Sequence, residues 1–187
     1  MNISFSGQVI VVAGGAGGLG RSVSLAFLEE GAKVIVTYRK QEGFLALKAS
    51  SGQAASRLEG RQVDVSDESA TGQFVNEVLS QHGALDVLVN TIGGYLGSVK
   101  LWDLKTSEFE QMLSLNLRSG YVLTRAVMPA MLKAGHGSIV NVAAKAAVDH
   151  GAGAAAYSSS KAAALALMDS LAADARGTGV ESEFHSP

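Results

Sequence analysis

The feature that most constrains this chain is a turn in which five of seven residues, Gly14-Gly15-Ala16-Gly17-Gly18-Leu19-Gly20, are glycine, directly after the apolar run Val9-Ile10-Val11-Val12-Ala13. A short β-branched run of this kind reads as a strand buried on both faces. The apolar residues that follow, Leu19, Val23, Ala26 and Phe27, recur at helical spacing up to Glu30-Gly31, where glycine ends the helix. A strand, a glycine turn and a helix in that order bring backbone N–H groups to a positive helix N-terminus, with no side chains to block close approach. This arrangement suits a diphosphate, and the turn is read as a dinucleotide-binding loop through Gly14, Ala16, Gly18, Leu19 and Gly20.

The alternation continues along the chain. Strands are expected at residues 34–36, 62–63, 85–89 and 138–142, with a sixth beginning near Val180, and helices at 68–81, 107–132 and 157–176. No hairpin signal separates consecutive strands, so the pattern predicts a doubly wound α/β fold, a parallel sheet with helices on both faces. No repeat, linker or charge block divides the sequence, and residues 1–187 are read as one Rossmann-type domain. A domain of this size buries roughly 70% of the surface its unfolded chain exposes, enough for a core without staples.

Composition removes several functional classes. There is no cysteine, which excludes a disulfide scaffold, an iron–sulfur site and a thiol nucleophile. A net charge of −2 gives no electrostatic reason to expect nucleic acid. No apolar run reaches the roughly 18 residues of a membrane helix and no signal peptide opens the chain, so a cytoplasmic protein with neither membrane nor nucleic acid as partner is expected. The histidines His82, His136, His150 and His185 lack metal-ligand spacing and read as loop or surface residues, so no metal is expected. Trp102, with Leu101 and Leu104, reads as packing before the long helix, not as a stacking platform.

At the end of the second strand, where a ribose-binding acid normally sits, the sequence is Thr37-Tyr38-Arg39-Lys40. Two cations and no carboxylate favour a 2′-phosphate, and hence NADP over NAD, with Arg39 as its partner. Further on, Tyr157 and Lys161 stand four residues apart on one helix face. A phenol titrates near 10, and a cation within about 4 to 6 Å lowers that value, which makes the pair a candidate proton shuttle.

The glycine turn and Tyr157-Ser158-Ser159-Ser160-Lys161 together resemble the short-chain dehydrogenase/reductase family, whose patterns are T-G-x-x-x-G-x-G and Y-x-x-x-K. The resemblance extends over the whole chain. Asp64-Val65 matches the family's adenine contact, Asn90-Thr91-Ile92-Gly93 its N-N-A-G, and Asn116 its helix asparagine. The resemblance implies that Tyr157 gives or takes a proton at the substrate, that Lys161 lowers its pKa and binds the nicotinamide ribose, and that Asn116 completes a water relay. It implies cofactor contacts at Gly14, Ala16, Gly18, Leu19, Gly20, Arg39, Asp64, Val65, Asn90, Gly93, Tyr157 and Lys161. It further implies a small-molecule substrate and a homodimer or homotetramer built on the outer faces of the long helix and the Tyr157 helix. Phe109, Met112, Leu113, Val127, Met128 and Met131 run along that long helix, most of them toward the sheet.

Two departures stand out. Thirteen residues before the tyrosine, where the family carries a serine that donates to the substrate carbonyl, this chain has Ala144. Loss of one such donor typically costs about 10² to 10³ in rate. Ser138 lies too early on its strand to substitute, and Ser158 to Ser160 are on the helix. Three readings follow. A carbonyl reductase has the donor replaced by water or another side chain. A substrate without a developing oxyanion needs no donor, as in dihydropteridine reductase, which is similar at Ala144-Lys145-Ala146-Ala147 and at Gly93-Gly94-Tyr95-Leu96-Gly97 but differs at Arg39. A non-catalytic nucleotide-binding module is the third, opposed by retention of Asn116, Tyr157 and Lys161. The second departure is at the end: the family continues from its sixth strand into a substrate-covering segment, whereas these residues stop at Phe184-His185-Ser186-Pro187, and residues 179–183 match the usual strand poorly. The C-terminal part of the family fold is therefore not expected within residues 1–187.

Overall fold

The computed structural model describes residues 4–185; Ser186, Pro187 and the side chains of Phe184 and His185 lie outside the description. Six parallel strands form one sheet in the order β3-β2-β1-β4-β5-β6. Their spans are β1 Val9–Ala13, β2 Lys33–Tyr38, β3 Leu58–Gln62, β4 Val87–Asn90, β5 Gly137–Val142 and β6 Val180–His185. The helices are α1 Gly18–Glu29, α2 Gln41–Ser50, α3 Glu68–His82, α4 Thr106–Leu113, α5 Ser119–Ala134 and α6 Ala155–Asp174.

Every residue of β1 is buried, and successive side chains enter opposite layers. Val9, Val11 and Ala13 pack with Phe74, Val78, Leu123, Val127, Met131 and Met168 of α3, α5 and α6. Ile10 and Val12 pack with Leu28 of α1, Leu47 of α2 and the β2 residues Val34 and Val36. The strand order reverses at β1, with β2 on one side and β4 on the other, and the loops after β1 and β4 open a crevice at the carboxyl edge.

The structure departs from the expected elements in several places. β3 lies at 58–62, not 62–63, because it is an edge strand paired only with β2 and only Leu58 in it is buried, so it has no apolar run to read. Gly60 in β3 makes room for the Phe44 ring, which stacks on Tyr38 with centroids 5.1 Å apart. The short helix α2, with Leu47 as its one buried residue, carries no strong period and was not expected. β4 is Val87–Asn90 instead of 85–89, since Asp86 turns its carboxylate to the Val9 N–H at 2.7 Å. The expected helix over 107–132 is two helices joined by a π-helical turn at Ser114–Arg118, closed by the Ser119 N–H on the Ser114 carbonyl. Such wide turns tend to occur at functional sites, and this one carries Asn116 inward. Trp102 does not pack: it is 81% exposed, and Leu101 is exposed beside it. His82 is not a surface residue either. Its side chain is buried at the end of α3, with Nε2 3.4 Å from Glu59 and Nδ1 3.3 Å from Lys33 Nζ.

Candidate active site

The glycine turn owes its shape to close backbone approach. Gly14 has φ +75°, a conformation that side chains rarely adopt, and donates its N–H to Thr37 Oγ1 at 3.0 Å. A Cβ at Gly20 would collide with the Gly14 carbonyl, and one at Gly15 would lie 2.5 Å from Val36 Cγ1. Gly18, by contrast, faces open space at the first turn of α1, with Leu19 half-exposed beside it. Ala16 is half-buried and meets the start of α2 through Gly43. Close packing beneath the turn and bare backbone above it form a cradle that fits a diphosphate.

Beside the turn runs a cleft of about 520 Å³, lined among others by Gly14, Tyr38, Arg39, Asp64, Val65 and Ile92. It brings Gly14 of the glycine turn together with Arg39, Asp64 and Val65, whereas Ala16, Gly18, Leu19, Gly20, Tyr157 and Lys161 are not among its lining residues. Two bonds from Ser66, side chain and backbone, hold the Asp64 carboxyl below its ordinary range, with Arg39 adding to the shift. Thr37 and Thr91, which sequence reasoning missed, fix the turn: Thr91 Oγ1 donates to the Ala13 carbonyl at 2.7 Å. Thr37 lies near the carboxyl end of β2 and Thr91 directly follows β4, a position at the carboxyl edge that is the one signal that could have marked them.

The asparagines belong to the scaffold. Asn90 Nδ2 donates to Asn141 Oδ1 at 2.7 Å, and its Oδ1 accepts the Ile92 N–H at 3.1 Å. Asn116, fully buried, accepts the Gly94 N–H at 2.9 Å, donates back to the Gly94 carbonyl at 3.0 Å and donates to Ser160 Oγ at 3.0 Å. Its side chain is thus engaged with protein, and it acts here by fixing the loop after β4.

Lys161 is buried, and its Nζ donates to the Val142 carbonyl at the end of β5 at 2.8 Å. A Cβ on Gly93 would stand 3.0 Å from Asn116 Oδ1 and 3.4 Å from Lys161 Nζ, so glycine at 93 lets the loop after β4 come close to the ammonium on α6. Burial lowers the Lys161 pKa. Tyr157, one helical turn before it, is half-buried, and its pKa moves up, first through burial and then through Tyr95. Ala144 begins the turn after β5 and presents no hydroxyl, while Ser138 sits at the opposite end of that strand. Among the described residues, no cluster of histidine and carboxylate side chains is placed to hold a metal, and no helix is long and apolar enough to cross a membrane.

Comparison with known proteins bears on this geometry. Residues 8–187 match the family described as short chain dehydrogenase. The chain is 30% identical over 183 residues to 2-dehydro-3-deoxy-L-rhamnonate dehydrogenase (NAD(+)) of Sphingomonas sp., an alignment covering 98% of this chain and 72% of that protein. Among solved structures, a metagenomic short-chain oxidoreductase in complex with NADP superposes with a TM-score of 0.93 at 34% identity, over 99% of this chain and 84% of the other. NAD+-bound xylitol dehydrogenase superposes with a TM-score of 0.94 at 28% identity, over 99% of this chain and 71% of the other.

Proposed function

Because this chain belongs to the short-chain dehydrogenase/reductase family, a family of oxidoreductases, we propose that it transfers a hydride between NADP(H) and a small carbonyl or alcohol substrate, with Tyr157 as the acid and base. The placement of Tyr157 carries the reading: a half-buried phenol one helical turn from a buried ammonium that is held at the carboxyl end of β5. The nicotinamide, when bound, supplies or accepts the hydride. The chain's own residues do the rest. Burial keeps Tyr157 protonated at neutral pH, ready to donate to a carbonyl oxygen as it becomes an alcohol. Lys161, fixed by the Val142 carbonyl, places positive charge where it favours the phenolate left after donation. Asn116 holds the Gly94 loop in place.

Support for NADP comes from Arg39, which lines the cleft at the end of β2 where no carboxylate stands. Ala144 is the observation that favours the second reading, reduction of a pterin-like carbon–nitrogen bond, which develops no carbonyl oxyanion. The deciding experiment is oxidation of NADPH by the purified protein against ketones, aldehydes and a quinonoid dihydropterin, with Tyr157→Phe in parallel. Turnover lost in the variant is the expected result. Tight NADPH binding without Tyr157-dependent turnover would leave a nucleotide-binding module instead.

Self-association belongs to the same proposal. A shallow apolar groove lined by Leu113, Leu117, Tyr121 and Leu167, with Glu110 and Arg118 at its rim, runs along the outer faces of α4, α5 and α6 and would be covered in a homodimer or homotetramer. A monomeric mass by light scattering at micromolar concentration would end that reading.

A further inference from the structure

The loop after β4 holds a second phenol at the site. Tyr95 is 70% exposed, and its ring meets Tyr157 edge to face, with centroids 5.0 Å apart and planes at 77°. The pose is built in. A Cβ at Gly97 would collide with Tyr95 Oη, so glycine there lets the phenol fold back along its own loop. Asn116 clasps the loop at Gly94 through two hydrogen bonds. At the other end, Ser98 is the one non-glycine with positive φ, +66°, among the described residues. Its backbone packs against Gly153, and the Val99 N–H donates to the Gly153 carbonyl at 3.2 Å, just before α6. A strained residue held by its surroundings is a device for fixing a loop, and the residue fixed between these anchors is Tyr95.

Register brings this loop beside the missing donor. β4 and β5 are neighbours with Asn90 opposite Asn141, so the segments carrying Tyr95 and Ala144 leave the sheet side by side. We propose that Tyr95 donates from the β4 side the hydrogen bond to the substrate oxygen that Ala144 cannot donate from the β5 side. This rests on the oxidoreductase reading above. Tyr95 keeps its own proton throughout; Tyr157 alone transfers one. Two donors on one oxygen, one of them giving up its proton, is the arrangement that stabilises charge developing there.

The test uses Tyr95→Phe, which keeps the ring and its packing, alone and combined with Ala144→Ser. Two readouts are taken: NADPH oxidation with 4-nitrobenzaldehyde as the carbonyl probe, and binding of the unreactive amide benzamide to protein preloaded with NADP. Loss of one oxyanion donor predicts that Tyr95→Phe lowers kcat about 10²-fold, and Ala144→Ser restores most of that loss in the double variant. Benzamide affinity should fall with Tyr95→Phe and return in the double variant. Turnover in Tyr95→Phe within twofold of the unmodified protein overturns the proposal while leaving the oxidoreductase reading intact, and so does a loss that Ala144→Ser fails to restore. Benzamide binding that depends on Tyr95, in a protein with no carbonyl turnover, supports Tyr95 as the oxygen donor and removes the carbonyl-reductase reading. Absence of both turnover and Tyr95-dependent binding overturns both.

Discussion

Asn116 and Gly94 exchange hydrogen bonds in both directions, side chain to backbone, at 2.9 and 3.0 Å. The amide thereby acts as a short piece of β-ladder between the π-helical turn and the loop that carries Tyr95. Only a side chain with both a donor and an acceptor can do this. Asn116→Leu should leave the Gly94 N–H and carbonyl unpaired and lower stability by about 1 to 3 kcal/mol, with a larger loss of turnover than Asn116→Gln. Urea denaturation and steady-state rates check it; a variant as stable as the parent would show that the clasp contributes nothing.

Two glycines of the turn should separate folding from binding. A methyl at Gly20 would meet the Gly14 carbonyl, whereas one at Gly18 meets nothing within 4 Å. Gly20→Ala is therefore expected to lower Tm, by an amount typical of overpacking, about 1 to 3 kcal/mol in stability. Gly18→Ala should keep Tm or raise it, through better helix propensity, while weakening NADPH at the exposed cradle. Thermal melts with and without NADPH distinguish the two, and equal loss of Tm in both variants would contradict the assignment of Gly18 to the ligand-facing side.

Cofactor choice should follow Arg39. Truncation to alanine is expected to weaken NADPH far more than NADH, because only the former offers a phosphate to the guanidinium. Fluorescence titration with both dinucleotides measures it, and equal weakening would remove the NADP preference.

Lys161 illustrates a conflict between stability and chemistry. Burial depresses its folded pKa below the ordinary 10.5. The unfolded chain therefore binds more protons between the depressed value and 10.5, and stability contributed by this group rises with pH through that interval. Lys161→Met should abolish Tyr157-dependent turnover, leave Tm at least as high as the parent at neutral pH and remove that rise in the alkaline range. A variant whose stability still climbs identically with pH would assign the effect to another group.

The central strands β1 and β2 could be located in the chain because buried parallel strands are continuous apolar runs, as in Val9-Ile10-Val11-Val12, and because glycine marks the end of β1. β3 and α2 were not legible for the complementary reason: at the sheet edge only Leu58 and Leu47 are buried, so little periodicity is imposed on their neighbours. Nor does any side-chain pattern announce the π-helical turn at Ser114–Arg118, which is a backbone event around one buried amide. At the site, the spacing of Tyr157 and Lys161 placed both on α6, but the upward direction of the tyrosine's titration comes first from burial and then from Tyr95, on a loop anchored at Gly94 and Gly153. Trp102 misled because an aromatic between leucines reads as core, yet nothing in the local sequence states which way a connecting segment faces.

The central position of β1 also dictates the order in which the sheet can be assembled. This strand precedes every other strand of the sheet, and β2 follows soon after, but its other neighbour is distant in sequence: the Val9 N–H waits for Asp86, 77 residues on, and the Ala13 carbonyl for Thr91, 78 residues on. Half of the crevice is therefore assembled early and half late, with one flank of the most apolar strand unpaired until β4 has been synthesised. Such distant pairings slow folding and expose a growing chain to premature association. In this protein the β1-β2-β3 segment is the part of the sheet that carries this unpaired flank until β4 arrives.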